Sequence, residues 1–194
     1  IKSSAASDVY KRQSLHLEIA DCIIDDLTGG SHYGVLQTEK VAISSIAVEM
    51  TNTTIANTGV KAATIFRTNT KQGNVSLVVK NCTFYNLFSG EALMRDIIGG
   101  TNSFTAENIL FAGSGSVKIF NKTSDAPGII NGSKIYSSSD LTVANAGEVS
   151  TTALSYSSSQ LFPNASSSTD VLDLTFGADI PNEVKIIGDP RWNK

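Results

Sequence analysis

The chain has 194 residues, a formal net charge of −3 and a sequence pI near 5.3. Its 41% hydrophobic content and small net charge exclude a disordered chain. The acidic pI, without a cluster of Lys and Arg, argues against a nucleic-acid partner. No apolar run approaches the roughly 20 residues of a membrane-spanning helix. Because only 17% of residues are charged, and Ser, Thr, Asn and Gly fill the difference, the composition predicts one all-β domain with short strands.

Residues 1–13 (IKSSAASDVYKRQ) lack the apolar–polar alternation that begins at Leu15. We interpret them as a non-native, adapter-derived segment and leave them out of the fold prediction. We then expect the natural protein to begin further upstream. Upstream coils of the same chain are therefore an expected partner of the part described below.

The most informative feature of the sequence is an internal repeat. Four segments share one pattern and start at Leu15, Ile46, Val75 and Asn102. In each segment a polar residue follows an alternating strand, and we name these polar residues the corner residues. They are Asp21, Asn52, Asn81 and Asn108, separated by 31, 29 and 27 positions. A fifth, weaker copy of the pattern is centred on residues 133–136.

Apolar positions keep a fixed distance from the corner residues. Leu17, Val48, Leu77 and Phe104 lie four positions before them, and Ile24, Ile55, Phe84 and Phe111 lie three positions after, with Tyr136 as the fifth candidate. Stacked at the strand spacing of about 4.8 Å, such columns form ladders inside a core. Asn tolerates the left-handed conformation, so the corner residues are predicted to form a hydrogen-bonded ladder of their own.

A third strand in each coil contains Gln37, Arg67, Arg95 and Asn121, which recur after 30, 28 and 26 positions and follow the drift of the corner residues. Two columns with matched drift predict a right-handed parallel β-helix with three strands per coil and about four or five coils, over residues 14–139. Residues 140–194 lose the repeat. We predict that they cap the open end of the solenoid, with Arg191 and Trp192 in the cap.

Two short motifs add a family resemblance. The run Asn81-Cys82-Thr83-Phe84-Tyr85-Asn86 resembles the coils of pectate-lyase-like β-helix proteins. The ending Gly188-Asp189-Pro190-Arg191-Trp192 is similar to the C-terminus of a domain of unknown function in that group, found in surface or secreted proteins of polysaccharide-degrading gut bacteria. The resemblance implies a secreted or cell-surface bacterial protein that works with polysaccharides, and it supplies no catalytic residues.

The most distinctive polar constellation is the predicted stack of Arg67 on Arg95, with Asp96 beside them and Gln37 and Asn121 on neighbouring coils. Val35, Ile65, Leu93 and Ile119 are expected on the same outward face. Because Arg binds carboxylates bidentately, this face is a candidate site for a uronic-acid unit. A simpler interpretation, which we favour, is that both Arg side chains pair with Asp96 or Glu91 and cover an apolar strip.

Acidic side chains give a second, weaker group of candidates. Glu18 and Glu49 share an outward column near His16, and Asp25 and Asp26 follow the corner residue Asp21. Carboxylates at such spacing are Ca²⁺ ligands in some proteins, but no third or fourth oxygen ligand is evident, so we favour solvated surface charge.

The two cysteines lie one position after their corner residues and two coils apart, with Thr53 between them. We expect buried free thiols, because two coils separate their Cα atoms by more than the roughly 7 Å limit of a disulfide. His32 is expected in an exposed loop.

Three functions remain open at this point. The favoured one is a glycan-binding or scaffold module, with Tyr33, Tyr85 and Tyr156 as candidate platforms for sugar rings and no cofactor. The second is a polysaccharide lyase or glycoside hydrolase with its groove partly upstream, for which Arg67, Arg95 and Asp96 are weak catalytic candidates and Ca²⁺ is the expected cofactor of a lyase. The third is an adhesin-like structural stalk.

Overall fold

The computed structural model describes residues 14–27, 35–38, 45–59, 63–68, 74–90, 92–95, 101–120, 128–144, 149–165 and 171–194. Within them the strands are β1 (Ser14–Ala20), β2 (Ile23–Ile24), β3 (Leu36–Thr38), β4 (Ser45–Thr51), β5 (Thr54–Ala56), β6 (Ala63–Thr68), β7 (Asn74–Tyr85), β8 (Ala92–Arg95), β9 (Ser103–Ala112), β10 (Gly115–Phe120), β11 (Ile129–Ser137), β12 (Leu141–Ala144) and β13 (Thr152–Ala153). Two short α-helices, α1 (Ser158–Leu161) and α2 (Asn182–Lys185), and a 3-10 helix (Pro190–Trp192) follow.

Within the described residues all the strand pairs are parallel and form two sheets. The first sheet runs in the order β1-β4-β7-β9-β11-β13, and β2 and β5 continue it beyond the corner residues of the first two coils. The second sheet runs in the order β12-β10-β8-β6-β3. Each strand thus pairs with its counterpart one repeat away, which makes the chain a right-handed parallel β-solenoid and confirms the predicted fold.

The corner residues behave as predicted. Asp21, Asn52, Asn81 and Asn108 all have positive φ angles, between 46° and 55°. Each Asn donates its Nδ2 hydrogen to the carboxyl or amide oxygen of the preceding coil, over 3.1, 3.1 and 3.0 Å in chain order. The fifth repeat is also present, with Lys134 at the corner (φ 54°) and β11 paired with β9.

The predicted apolar columns lie inside the solenoid. Leu77 and Phe104 pair in register and are buried, and Phe84 stacks on Phe111 with ring centroids 5.1 Å apart. The fifth member of that aromatic column was assigned wrongly, because Ser137 is the partner of Phe111, whereas Tyr136 pairs with Leu110. The Lys134 corner lies one position later than the repeat suggested, and this shift moves Tyr136 out of the column.

The second sheet departs from strict alternation. Ile65, Leu93 and Ile119 were expected on the outer face, but all three are buried in the core, and Val35 packs against it. The residues that follow them, Phe66, Met94 and Phe120, are buried as well. A register shift between Ala63 and Phe66 is one such irregularity, and it breaks the two-residue period on which the expectation rested.

The part of the chain after the repeat first continues the two sheets and then packs against the solenoid. Parallel pairing continues past residue 139, because β12 pairs with β10 and β13 pairs with β11. The described parts of residues 154–194, which we name the C-terminal segment, then pack along the side of the solenoid. Their apolar side chains cover the outward residues Ala56, Leu110 and Ala112 and form a second hydrophobic cluster. In the described part of the chain no helix has the length and apolar character to cross a membrane.

Candidate functional site

The predicted stack of polar residues on the second sheet is present in the backbone. Gln37 pairs with Arg67 across β3 and β6, and Arg67 pairs with Arg95 across β6 and β8. The Arg67 side chain is half-buried. Asn121, Asp96 and the alternative partner Glu91 lie outside the described residues. The structure therefore brings three of the five predicted positions into one column, which we name the arginine column.

The acidic side chains near the first coil take positions in the strands and hydrogen-bond ladders of the solenoid. Glu18 and Glu49 pair in register on β1 and β4. Asp21 accepts a hydrogen bond from Asn52, and Asp25 accepts one from Asn57 over 2.8 Å. Among the described residues, no three His, Cys, Asp or Glu side chains are grouped so that they could hold a metal ion.

Asp25 belongs to a second ladder that the repeat analysis missed. Asn57 donates to Asp25, and Asn86 donates to Asn57, each over 2.8 Å. Asp26, Asn57 and Asn86 have positive φ angles and stand five positions after their corner residues. The constant offset of five was visible in the sequence, and it marks a second bend of the chain in each of the first three coils.

Two of the three candidate tyrosines, Tyr85 and Tyr156, pack against the second hydrophobic cluster. Tyr85 meets Phe162 edge to face, with ring centroids 5.8 Å apart, as part of the second cluster. Burial, and then the charge of Asp140, raise the pKa of Tyr85. Tyr156 also packs against this cluster, at the edge of a cavity of about 260 Å³. His16 is exposed, whereas Tyr33 and His32 lie outside the described residues.

Both cysteines are free thiols, as predicted. Cys82 is buried, and burial raises the pKa of its thiol to about 12. Cys22, on the first described coil, is only half-buried, and its backbone amide donates to the hydroxyl of Thr53. A thiol with so high a pKa is a poor nucleophile and a poor metal ligand, so Cys82 is a packing residue.

The terminal motif Gly188–Trp192 fastens the C-terminal segment to the side of the solenoid. The buried carboxylate of Asp189 accepts hydrogen bonds from the Thr54 hydroxyl (2.8 Å) and the Arg191 amide (3.1 Å). Its own amide donates to the Thr83 hydroxyl over 2.9 Å. The Trp192 indole donates to Thr54 over 2.8 Å. These contacts link the motif to two successive coils.

Gly188 and Arg191 complete this attachment. Gly188 has φ 83°, and a Cβ atom there would collide with the Thr83 hydroxyl, so only glycine fits. The guanidinium of Arg191 forms an ion pair with Asp189 (Nε to Oδ2, 2.9 Å) and donates to the Asn52 carbonyl over 3.1 Å. Arg191 and Trp192 therefore contact the side of the solenoid beside β4 and β5. The sequence had suggested instead that they cover its open end.

A cleft of about 740 Å³ lies where the C-terminal segment meets β2, and we name it the flank cleft. Its apolar lining consists of Ile23, Val171, Leu172 and Trp192. Its polar lining consists of Asn164, Asp173, Thr175, Arg191 and Lys194. The flank cleft could not be predicted from the sequence, because its two walls are far apart in the chain and no periodic pattern relates them.

Comparison of the chain with protein-family models, with curated proteins and with solved structures yields no match. The functional assignment therefore depends on the contacts described above.

Proposed function

We propose that this chain is a non-catalytic, glycan-binding part of a larger extracellular protein that acts on polysaccharides. The observation that supports this proposal best is the arginine column. Gln37, Arg67 and Arg95 occupy paired positions on three neighbouring parallel strands. The backbones of neighbouring parallel strands repeat at about 4.8 Å, so these positions follow one another along the solenoid.

The chemistry of the arginine column favours acidic sugars. A guanidinium group presents fixed N–H donors that match a carboxylate, and an amide adds hydrogen bonds to hydroxyls. Two such cations on successive strands suit a polymer in which carboxylates recur, such as a uronate-containing glycan. The long, regular surface of a solenoid offers such a polymer an extended binding face.

Retention on immobilised glycans tests the proposal. The chain is compared on polygalacturonate, alginate, glycosaminoglycans and neutral glucans, with and without Ca²⁺. The double variant Arg67→Gln/Arg95→Gln is expected to lose about tenfold or more in affinity for the acidic glycans, because two charge-assisted contacts are removed. The matched control is Lys80→Gln, which removes a half-buried cation from the first sheet. Equal retention of the double variant and the control would refute a role for the column.

The same experiment separates the alternatives. A polysaccharide lyase that cleaves uronate glycans by β-elimination produces an unsaturated uronate, which absorbs in the ultraviolet. Absorbance that grows with time and disappears in the Arg67→Gln/Arg95→Gln variant would make the column part of a catalytic site. Neither retention nor absorbance would leave an adhesin-like structural stalk, with the ladders and the terminal motif serving rigidity alone.

A further inference from the structure

The flank cleft is an open surface cleft whose lining mixes apolar and polar side chains, and the proposed function does not use it. Its volume of about 740 Å³ falls within the range of about 300–1,000 Å³ that is usual for small-molecule sites. One wall comes from the C-terminal segment and the other includes Ile23 of the first described coil. The terminal motif fixes the two walls relative to each other through Asp189, Arg191 and Trp192.

Asp173 is the fixed polar group of the flank cleft. One carboxylate oxygen accepts a hydrogen bond from the Thr175 amide over 2.9 Å, and the other accepts one from the Asn164 side chain over 3.3 Å. Hydrogen bonding by Thr175, and then by Asn164, lowers the pKa of Asp173. Since a carboxylate has about four acceptor sites, these contacts orient the group and leave it able to accept from a ligand hydroxyl.

Two exposed apolar side chains stand beside this polar group. Val171 is 73% exposed and Ile23 is 43% exposed, and both line the flank cleft. Covering them with the C–H face of a ring would be favourable, because apolar surface leaves water. A ring with one apolar face and several hydroxyls on its edge matches this combination of groups.

The charges of the flank cleft disfavour a charged ligand. The Arg191 guanidinium is already paired with Asp189 at 2.9 Å. Lys194 is near enough to Asp173 for its charge to stabilise that carboxylate. An anion would meet the charge of Asp173, and a cation would meet the charge of Lys194, so an uncharged polar ligand avoids both penalties.

We infer that the flank cleft binds an uncharged sugar unit, with Asp173 accepting hydrogen bonds from its hydroxyls and Val171 and Ile23 covering its apolar face. This site is separate from the arginine column, which suits acidic sugars on the second sheet. Either site can fail without the other, because they share no residue.

Isothermal titration calorimetry of the full chain with cellotriose, maltotriose, mannotriose and xylotriose tests this inference. At least one trisaccharide is expected to bind at millimolar or lower concentration. Asp173→Ala is expected to weaken that binding about tenfold or more, and Val171→Ser several-fold. The matched control is Asp179→Ala, because Asp179 is an exposed carboxylate of the same segment outside the flank cleft.

Melting temperatures show whether each variant is folded. If Asp173→Ala does not fold, Val171→Ser tests the site alone, because the exposed Val171 side chain contributes little to folding. Arg67→Gln/Arg95→Gln is expected to bind the trisaccharide as the parent chain does. No binding of any of the four trisaccharides would overturn the inference, and so would binding that folded Asp173→Ala and Val171→Ser variants leave unchanged.

Discussion

The attachment of the C-terminal segment depends on one buried carboxylate. Asp189→Ala should therefore weaken the packing of this segment against the solenoid. The Asp189 side chain is 1% exposed. It accepts hydrogen bonds from the Thr54 hydroxyl and the Arg191 amide, and it pairs with the Arg191 guanidinium. Removing it leaves the buried Thr54 hydroxyl and the partly buried Arg191 amide without their acceptor.

The expected cost follows from these contacts. Each hydrogen bond to a charged acceptor contributes about 1.5–3 kcal/mol. The ion pair adds little, because the Arg191 side chain is 26% exposed and its charge can be solvated. We therefore expect Asp189→Ala to lower the free energy of unfolding by about 3–5 kcal/mol.

Urea denaturation, followed by Trp192 fluorescence and by far-ultraviolet circular dichroism, measures this cost. If the C-terminal segment detaches first, the fluorescence transition of the variant moves to lower urea than the circular dichroism transition. Asp179→Ala, which removes an exposed carboxylate of the same segment, should change stability by no more than about 0.5 kcal/mol. A loss below about 1 kcal/mol for Asp189→Ala would contradict the assigned role of the buried carboxylate.

Three further outcomes are expected. In urea denaturation, Gly188→Ala should destabilise the protein by about 2–3 kcal/mol. The control Gly90→Ala, also at positive φ but in open space, should cost about 1 kcal/mol. Equal losses would contradict the predicted collision. Cys82 should resist a thiol reagent at mildly alkaline pH until denaturant is added, because its pKa is about 12, and rapid labelling of the native chain would contradict its burial. Burial tends to raise the pKa of Asp140, but bonds from Ser158 and other groups outweigh it and lower the pKa. Since the folded pKa is the lower one, Asp140 stabilises the protein above its unfolded pKa and ceases to do so as pH falls through the folded pKa. Asp140→Asn should therefore show a shallower loss of melting temperature on acidification, and an unchanged profile would contradict this assignment.

The solenoid was predictable because its determinants repeat. A column of residues at a fixed offset from Asn52, Asn81 and Asn108 can be recognised even when the period shrinks, since each coil is stabilised by the same contacts to its neighbours. The left-handed conformation of these residues follows from the tolerance of Asn for positive φ. The free state of Cys22 and Cys82 followed from the same periodicity, which places them two coils apart.

Features that do not repeat were predicted poorly. The burial of Ile65 accompanies a register shift in β6, which a two-residue period cannot reveal. The flank cleft combines Ile23 with residues more than 140 positions later, and no local pattern carries that distance. The terminal motif was recognised as distinctive, but its partners Thr54 and Thr83 are polar residues that resemble ordinary strand positions.

The chemistry of the corner residues explains where the C-terminal segment attaches. Within the ladder each Asn donates toward the preceding coil and accepts from the following one. The fifth corner residue is Lys134, whose side chain is a donor only and so cannot accept from a further coil. Asn108 accepts from the Gly188 amide over 3.4 Å and donates a further hydrogen bond to the Ile186 carbonyl over 3.2 Å. The terminal motif thus begins its attachment at the last amide of the ladder and then crosses back over the earlier coils. Asp21, an acceptor only, ends the described ladder on the opposite side, so a neighbouring coil placed there could extend the ladder only with a hydrogen-bond donor at its own corner.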